Sequence, residues 1–474
     1  MEPLRRASLQ HVPANARPAI EPGSASVGIV HIGLGAFHRA HQAIFTEAAM
    51  AAAGGDWAIA GVAPRSRDVL AGLRAQEHLY SVTADQTRVV AALAASHHLP
   101  TEPDAVLKRL TDSDVRVVTV TITEKGYRLD DEVRADLGGR APRTALGLVV
   151  RGLRARADTG GPPLAVVSCD NLPGNGDHLR RLVEQASDGG FGGWVAFPNT
   201  MVDRIVPPAT ASTVERASAA LGVRDVAALE AEPFAQWVIA DDFPGGRPAW
   251  ERAGAILTSD VTAWERLKLR VLNGSHSTVA YLGALAGCAT IADALALPGM
   301  AELVRHLIGD DVAPTLQPPA GVSVSSYGEQ VLTRLASPAV AHPTAQVAMD
   351  GSQKLPQRLI PVMLERRRSN ATPIYAALGI AGWIRFVQGR ADDGRPLALQ
   401  DPLADTIRAA LPDADDPAGV VAGLLRLEAM FPAELADDRE TAADITGWLV
   451  ALTRHGAADT VRNAVTRASR IGKI

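Results

Sequence analysis

Short apolar runs alternate with longer amphipathic stretches through the first half of the chain. Val27-Gly-Ile-Val-His-Ile32 is rich in β-branched residues, and a helix-like segment follows from about 38 to 53. Residues 57–62 are strand-like again, with another helix from about Arg67. Residues 115–122, 164–168 and 193–197 form three further strand-like runs. Continuous apolar strands separated by helical segments predict an α/β fold with a parallel, doubly wound sheet. From about Ile256 the texture changes, and helical patterns at 329–336, 373–387, 403–410 and 442–455 dominate. Gly/Asp/Pro clusters at 389–396 and 412–417 predict loops.

Four of the strand-like runs are followed by polar, turn-forming residues. These are Gly33-Leu-Gly35, Thr123-Glu-Lys-Gly126, Cys169-Asp-Asn171 and Pro198-Asn-Thr200. Ligands of such sheets bind beyond the carboxyl ends of the strands. Gly33-x-Gly35 after a strand allows a tight turn and close approach to a pyrophosphate, as in a Rossmann-like domain. The third glycine of the fingerprint is replaced by His38, so a plain strand-to-helix turn also suits these residues. Arg39 is a candidate phosphate contact; an exposed helix charge is the other reading. Asp68 is a candidate acid for the adenosine ribose hydroxyls, which indicates NAD. It stands late for that spacing, and Arg65 and Arg67 keep NADP open. His38 and His41 have no cysteine or carboxylate cluster nearby in sequence, so no metal site is expected. The organisation predicted is an arm over 1–25, a dinucleotide-binding domain over 26–258 and a mainly helical substrate-binding domain over 259–474. The cleft is expected between the last two.

Lys268-Leu-Arg-Val-Leu-Asn273-Gly-Ser-His276 carries the most chemistry. On an ideal helix His276 lies about 80° round from Lys268, and the stretch rises about 12 Å. Lysine donates hydrogen bonds when charged and takes a proton when neutral; asparagine and histidine bind hydroxyls. That set suits proton removal from a secondary alcohol while hydride leaves elsewhere. A solvated lysine beside a cap-like Asn-Gly turn is the alternative.

Composition narrows the classes. With 47 basic and 52 acidic residues the net charge is −5, which argues against a nucleic-acid surface. Arg366-Arg367-Arg368 is the densest basic cluster and reads as a solvated helix face. Cys169 and Cys288 are too few and too distant for a zinc framework and read as buried thiols. No apolar leader and no membrane-length run are recognised, so a cytoplasmic location and no membrane partner are expected.

Several segments together resemble one family. They are Gly33-Leu-Gly-Ala-Phe-His-Arg-Ala-His41, Thr123-Glu-Lys-Gly-Tyr127, Ser168-Cys-Asp-Asn171 with Asn175-Gly176, and Phe197-Pro-Asn-Thr-Met-Val-Asp203-Arg204. Trp264-Glu-Arg-Leu-Lys268 through Asn273 and His276, and Asp350-Gly-Ser-Gln-Lys354-Leu-Pro-Gln-Arg358, complete the set. From about residue 27 to the end the chain resembles the polyol-specific long-chain dehydrogenases, which include mannitol 2-dehydrogenase, arabinitol dehydrogenase and fructuronate reductase. The resemblance implies metal-independent, NAD(P)-linked interconversion of a secondary alcohol and a ketone, by a monomer. It implies Lys268 as general acid/base, Asn171 and Asn273 on the substrate oxygen, and Glu265 in proton exchange with solvent. It implies substrate roles for His276, Lys354 and Asp203, the last two at positions that contact cofactor or substrate hydroxyls. Gly33, Gly35, Phe37, Arg39 and Asp68 fall on its cofactor side. Lys268 must then be neutral for oxidation, whereas an ordinary lysine has a pKa of about 10.4.

Within the family, Gln346 and Met349 stand where a mannitol dehydrogenase is expected to carry an arginine and a histidine. This counts against mannitol without itself selecting a sugar acid; the segments 346–358 and 378–387 look closer to fructuronate reductases, so D-mannonate/D-fructuronate comes first and mannitol, arabinitol or sorbitol is the alternative. A hexonate carboxylate needs a cation, and Lys354, Arg358 and Arg385 are available. A zinc polyol dehydrogenase lacks its cysteine ligands here. A non-catalytic sugar or redox sensor would not need the full set of groups.

Overall fold

The apolar, β-branched runs of the first half pair side by side because each is apolar on both faces and needs cover above and below. In chain order the strands are β1 (Val27–Ile32), β2 (Ala58–Ala63), β3 (Tyr80–Thr83), β4 (Thr87–Val90), β5 (Leu93–His98) and β6 (Val117–Val120). They continue with β7 (Leu164–Ser168), β8 (Val195–Ala196), β9 (Thr200–Asp203), β10 (Leu229–Glu230), β11 (Gln236–Ala240) and β12 (Ile256–Thr258). This computed structural model describes residues 1–123, 126–187, 189–337, 342–411 and 416–471, with side chains to 465. Glu124 and Lys125 of the expected turn, and 412–415 of an expected loop, lie outside the described residues. The chain divides into two units, Met1–Thr262 and Ala263–Ile474.

The first unit is built on a six-stranded sheet of order β5-β2-β1-β6-β7-β8, with every pairing parallel. The chain runs outward from β1 through β2 to β5, then returns to β6 on β1's other flank. The strand order therefore reverses between β1 and β6, the switch point beyond which ligands bind in such sheets. Alternate residues feed two cores. Ile29, Ile59, Val117 and Val167 lie in one; Val30, Ile32, Val118, Val120 and Val166 lie in the other.

Two three-stranded sheets, β10-β3-β4 and β12-β11-β9, complete the unit. β5 and these short strands were not legible as strands beforehand. The first 25 residues form short 3-10 turns, Arg6–His11 and Ala14–Ala16, rather than a solvated tail. Leu4, Val12 and Ala16 are buried there with Leu79, Val89, Leu221 and Val223, because a polar segment with three spaced apolar residues can still plug a core.

Among the described residues the regular elements of the second unit are all helical. Gly274–Leu285 and Ile374–Val387 are buried nearly all round and carry the centre of its core. Asp311 fixes the start of the second of these: its Oδ2 accepts from the N–H groups of Tyr375 (2.7 Å) and Ala376 (2.8 Å). Those donors have no partner within the helix, and a carboxylate also suits the positive end of the helix dipole. The last helix, Arg439–Ile471, breaks at Gly456, where φ is 73°. Among the described residues no helix is long and apolar enough to cross a membrane.

Candidate active site

In the first unit the turn after β1 is set by steric need. Gly33 has φ +108°, and a Cβ there would lie 1.9 Å from the Thr121 carbonyl oxygen. Only glycine fits. Its N–H and that of Leu34 both donate to the Val62 carbonyl, at 2.9 and 3.0 Å. The Thr121 hydroxyl donates to the Gly33 carbonyl at 2.9 Å. Its oxygen is then the acceptor for His31 Nε2–H at 3.0 Å, while His31 Nδ1 accepts from Thr119 Oγ1 at 2.8 Å. Burial pushes the His31 pKa down to about 3, so this neutral tautomer is the one that holds the turn. Neither His31 nor Thr121 stood out in the sequence, because the relay exists only once β1 and β6 are adjacent.

A cleft of ≈ 330 Å³ opens at this switch point, lined by Gly33, Gly35, Arg65, Ser66, Arg128 and Arg143 among others. Phe37, Arg39 and Asp68 do not line it. Phe37 stacks on His41 at 5.0 Å. Arg39, expected at a phosphate or in solvent, is buried: its Nη1 donates to the Ala227 carbonyl at 2.8 Å and its guanidinium lies over the Tyr80 ring. Burial lowers its pKa, partly offset by Tyr80 and Asp225. Asp68 is exposed at the first position of the helix Asp68–Ala75. His38 is buried and stacks on His31 at 3.3 Å; desolvation holds it neutral.

Beyond β7, Asp170 organises the neighbouring loop. Its two oxygens accept from the backbone N–H groups of Ile122 and Thr123, both at 2.9 Å, and from the Tyr127 hydroxyl at 2.8 Å. Burial still raises its pKa. Asn175 is fully buried, donating to the Ser168, Asp170 and Thr200 carbonyls and accepting from Thr200 N–H. Asn171 is exposed on the loop that these two residues fix. Asp203 ends β9 and is 5% exposed.

In the second unit the lysine segment departs from the ideal helix assumed from sequence. Val261–Leu267 runs into a π-helical turn, Lys268–Asn273, and on into Gly274–Leu285 without a break. The wider turn changes every angle computed for a 3.6-residue period, and such turns cluster at functional sites. Asn273-Gly274 is thus inside a continuous helical rod and is no cap. Lys268, Asn273 and Glu265 are 6%, 8% and 7% exposed, so the lysine is not a solvated surface charge.

His276 stacks on His342 at 5.5 Å, and its Nε2 is buried with no hydrogen-bond partner. Desolvation, then the charges of His342, Arg358, Lys354 and Arg334, hold it well below its ordinary pKa. Lys354 and Arg358 lie on the helix Gly351–Arg358. Arg358 ties that helix to the lysine segment, donating to Ser277 Oγ at 2.8 Å and to the Asn273 carbonyl at 3.3 Å. Lys354 Nζ donates to the Val347 carbonyl at 3.1 Å. Arg385 is turned to the Arg390 carbonyl (2.9 Å). The structure therefore gathers His276, Lys354 and Arg358, adds Arg334 and His342, and leaves Arg385 apart.

The first unit thus carries a switch-point cleft with a glycine-only turn, as nucleotide-binding sheets do, and the second a buried lysine and asparagine. Comparison with known proteins agrees. The family description "Mannitol dehydrogenase Rossmann domain" matches residues 27–252, and "Mannitol dehydrogenase C-terminal domain" matches 260–453. The chain belongs to the mannitol dehydrogenase family. It is 41% identical to the uncharacterized oxidoreductase YeiQ of Escherichia coli strain K12 over 435 residues, 86% of this chain and 89% of that one. It is 35% identical to the D-mannonate oxidoreductase of the same strain, across 94% of this chain and 97% of that one. Among solved structures, the Pseudomonas fluorescens mannitol 2-dehydrogenase complex with NAD and D-mannitol matches with a TM-score of 0.85 and 30% identity. That match covers 98% of this chain and 100% of the other.

Proposed function

We propose that this chain is a nicotinamide-dependent dehydrogenase/reductase that interconverts a sugar acid and its keto form, D-mannonate and D-fructuronate first. The observation that carries the reading is the buried π-turn: Lys268 and Asn273 lie out of water on a segment tied by Arg358 to the helix that also bears Lys354. The N-terminal unit supplies the dinucleotide site together with Asn171 and Asp203, and the helical unit supplies the remaining substrate groups. The turn and its cleft fit a dinucleotide, because Gly35 lines the cleft with no side chain over its backbone and so lets a pyrophosphate lie close. NAD is the cofactor in the related mannitol 2-dehydrogenase complex, and it is the cofactor proposed here.

The bound nicotinamide supplies the hydride acceptor for oxidation and the donor for reduction. Lys268 takes the hydroxyl proton of the alcohol in oxidation and returns it to the carbonyl oxygen in reduction. An amine taken out of water is easier to hold neutral, which the oxidation step requires. Asn273 donates to the developing oxyanion, a contact worth on the order of 3 kcal/mol in comparable sites. Asn171 adds a second donor. Glu265, one turn before Lys268, passes the proton on towards solvent. His276 offers its unpartnered Nε2 to a substrate hydroxyl. Asp203 contacts substrate or cofactor hydroxyls.

A sugar acid is preferred over a polyol for two reasons. Gln346 and Met349 replace the arginine and histidine expected of a mannitol dehydrogenase. Lys354, Arg358 and Arg334 all bear on His276, a cationic setting that suits a carboxylate. The test is NADH oxidation with fructuronate, tagaturonate, fructose and xylulose. Fructuronate should give the highest kcat/KM. A profile led by fructose would move the assignment to a mannitol 2-dehydrogenase, and no turnover with any ketose or keto-acid would reject a reductase.

A further inference from the structure

The helix Gly351–Arg358, which bears Lys354 and Arg358, has little of its own to hold it in place. It is eight residues long, and isolated helices that short are not stable in water. Pro356 stands inside it and has no N–H to give to the Ser352 carbonyl, so one of its few internal bonds is missing. Asp350, just before it, is held in the left-handed region at φ 56° and ψ 37°, uncommon for any residue with a side chain. Contacts from elsewhere in the second unit therefore set where this helix lies.

Its last residue, Arg358, is one anchor, through Ser277 and the Asn273 carbonyl. The other is Asp401, which takes Ser352 with both carboxylate oxygens. Oδ2 accepts the Ser352 N–H at 2.8 Å, and Oδ1 accepts the Ser352 hydroxyl. That N–H is a first-turn donor with no partner inside the helix, and a carboxylate suits the positive end of the helix dipole. Oδ1 also accepts the Leu403 N–H at 2.9 Å, which fixes the carboxylate on its own turn. The neighbouring Gln400 carbonyl accepts the Asp350 N–H at 2.9 Å, so the left-handed residue is held by the same segment. Gly351 lets the helix start close against the core: a Cβ there would lie 2.5 Å from Trp383 Nε1 and 2.9 Å from the Tyr281 hydroxyl. Lys354 lies between the two anchors, two residues after Ser352 and four before Arg358.

We infer that Asp401 is a positioning residue for substrate binding, acting through Ser352 on the helix that presents Lys354. The inference rests on the reading of Lys354 as a substrate group, and the experiment separates the two. Steady-state kinetics of the full chain with NADH and fructuronate compare Asp401→Ala, Asp401→Asn, Lys354→Ala and the double variant Asp401→Ala/Lys354→Ala. Lys354→Ala should raise KM about tenfold or more, the equivalent of one charge-assisted contact. Asp401→Ala should raise KM about five- to tenfold with kcat and NADH affinity within about threefold, the pattern of binding lost equally from ground and transition states. The double variant should lie within about twofold of Lys354→Ala, because both changes act through one contact. Asp401→Asn keeps an acceptor for the Ser352 N–H and should return KM to within about threefold of the native value. If Asp401→Ala does not fold, Ser352→Ala, which deletes the hydroxyl alone, takes its place in the cycle with a smaller rise expected. The inference is overturned by a native KM in Asp401→Ala, by KM factors that multiply in the double variant, or by joint loss of kcat and NADH affinity. A native KM in Lys354→Ala would instead remove the substrate reading of Lys354, and the inference with it.

Discussion

Replacing Gly33 and Gly35 separately by alanine separates folding from ligand approach. A Cβ on Gly33 meets the Thr121 carbonyl oxygen at 1.9 Å, carbon at 2.8 Å and Oγ1 at 2.9 Å, at φ +108°. Holding alanine in such a region costs about 1–3 kcal/mol. Relieving the overlap by moving the end of β6 costs about 1–3 kcal/mol more. Gly33→Ala should therefore lose about 2–6 kcal/mol of stability, a fall of very roughly 5–20 °C in Tm for a unit of this size. Gly35 differs. Its φ is −116°, open to any residue, and a Cβ there finds only the Gly33 carbonyl oxygen at 3.6 Å. Gly35→Ala should change stability by no more than about 0.5 kcal/mol, yet weaken NADH binding about tenfold or more if phosphates lie against that backbone. Urea titration and NADH fluorescence titration of both variants read the two effects. Equal destabilisation by the two substitutions would refute the steric argument, and native NADH affinity in Gly35→Ala would refute the close approach.

Other consequences are equally direct. Thr121→Val removes the donor to Gly33 and the acceptor for His31, orphaning groups worth about 1–3 kcal/mol each. NADH affinity should fall while kcat at saturation stays within about threefold; a loss of kcat at unchanged affinity would mean that the relay does not serve the turn. Burial pushes the Asp311 carboxyl up to about 6 from 3.8. The folded state then binds more protons than the unfolded one between about pH 4 and 6, so this group's contribution to stability falls as pH rises through that window, by up to roughly 3 kcal/mol. Asp311→Asn keeps an acceptor for the helix start and should gain on the native chain as pH rises; a pH-independent difference in urea unfolding would show that the carboxyl is not perturbed. Asn273→Ala should lower kcat about 10²–10³-fold with NADH affinity unchanged; equal loss of both would point to misfolding of the π-turn.

What could be read in advance follows from burial. β1, β2, β6 and β7 are covered on both faces, so their apolar runs are continuous and conspicuous. β5 was missed because it is an edge strand of mixed burial that ends Ser96-His97-His98. β8 falls within the strand-like run 193–197, whereas β3, β4 and β9 to β12 are two to five residues long, too short to show a period. At the candidate site, residue types and spacing pointed to Lys268, Asn273 and His276. No composition marks a π-turn, however, so their relative angles could not be deduced. Arg39 shows the same limit: its place after the glycine turn suggested a phosphate, and its partners, Ala227 and Tyr80, lie far off in sequence. Arg334 and His342 escaped notice because each is ordinary in its own segment and matters only beside His276.

The most direct measurement is the single-turnover rate of Lys268→Ala with NADH and fructuronate, beside its NADH affinity. Turnover should drop about 10²–10⁴-fold, the usual worth of a positioned acid/base group, with NADH affinity within about threefold of the native chain. Turnover close to native would contradict the assignment of Lys268 as the group that moves the proton.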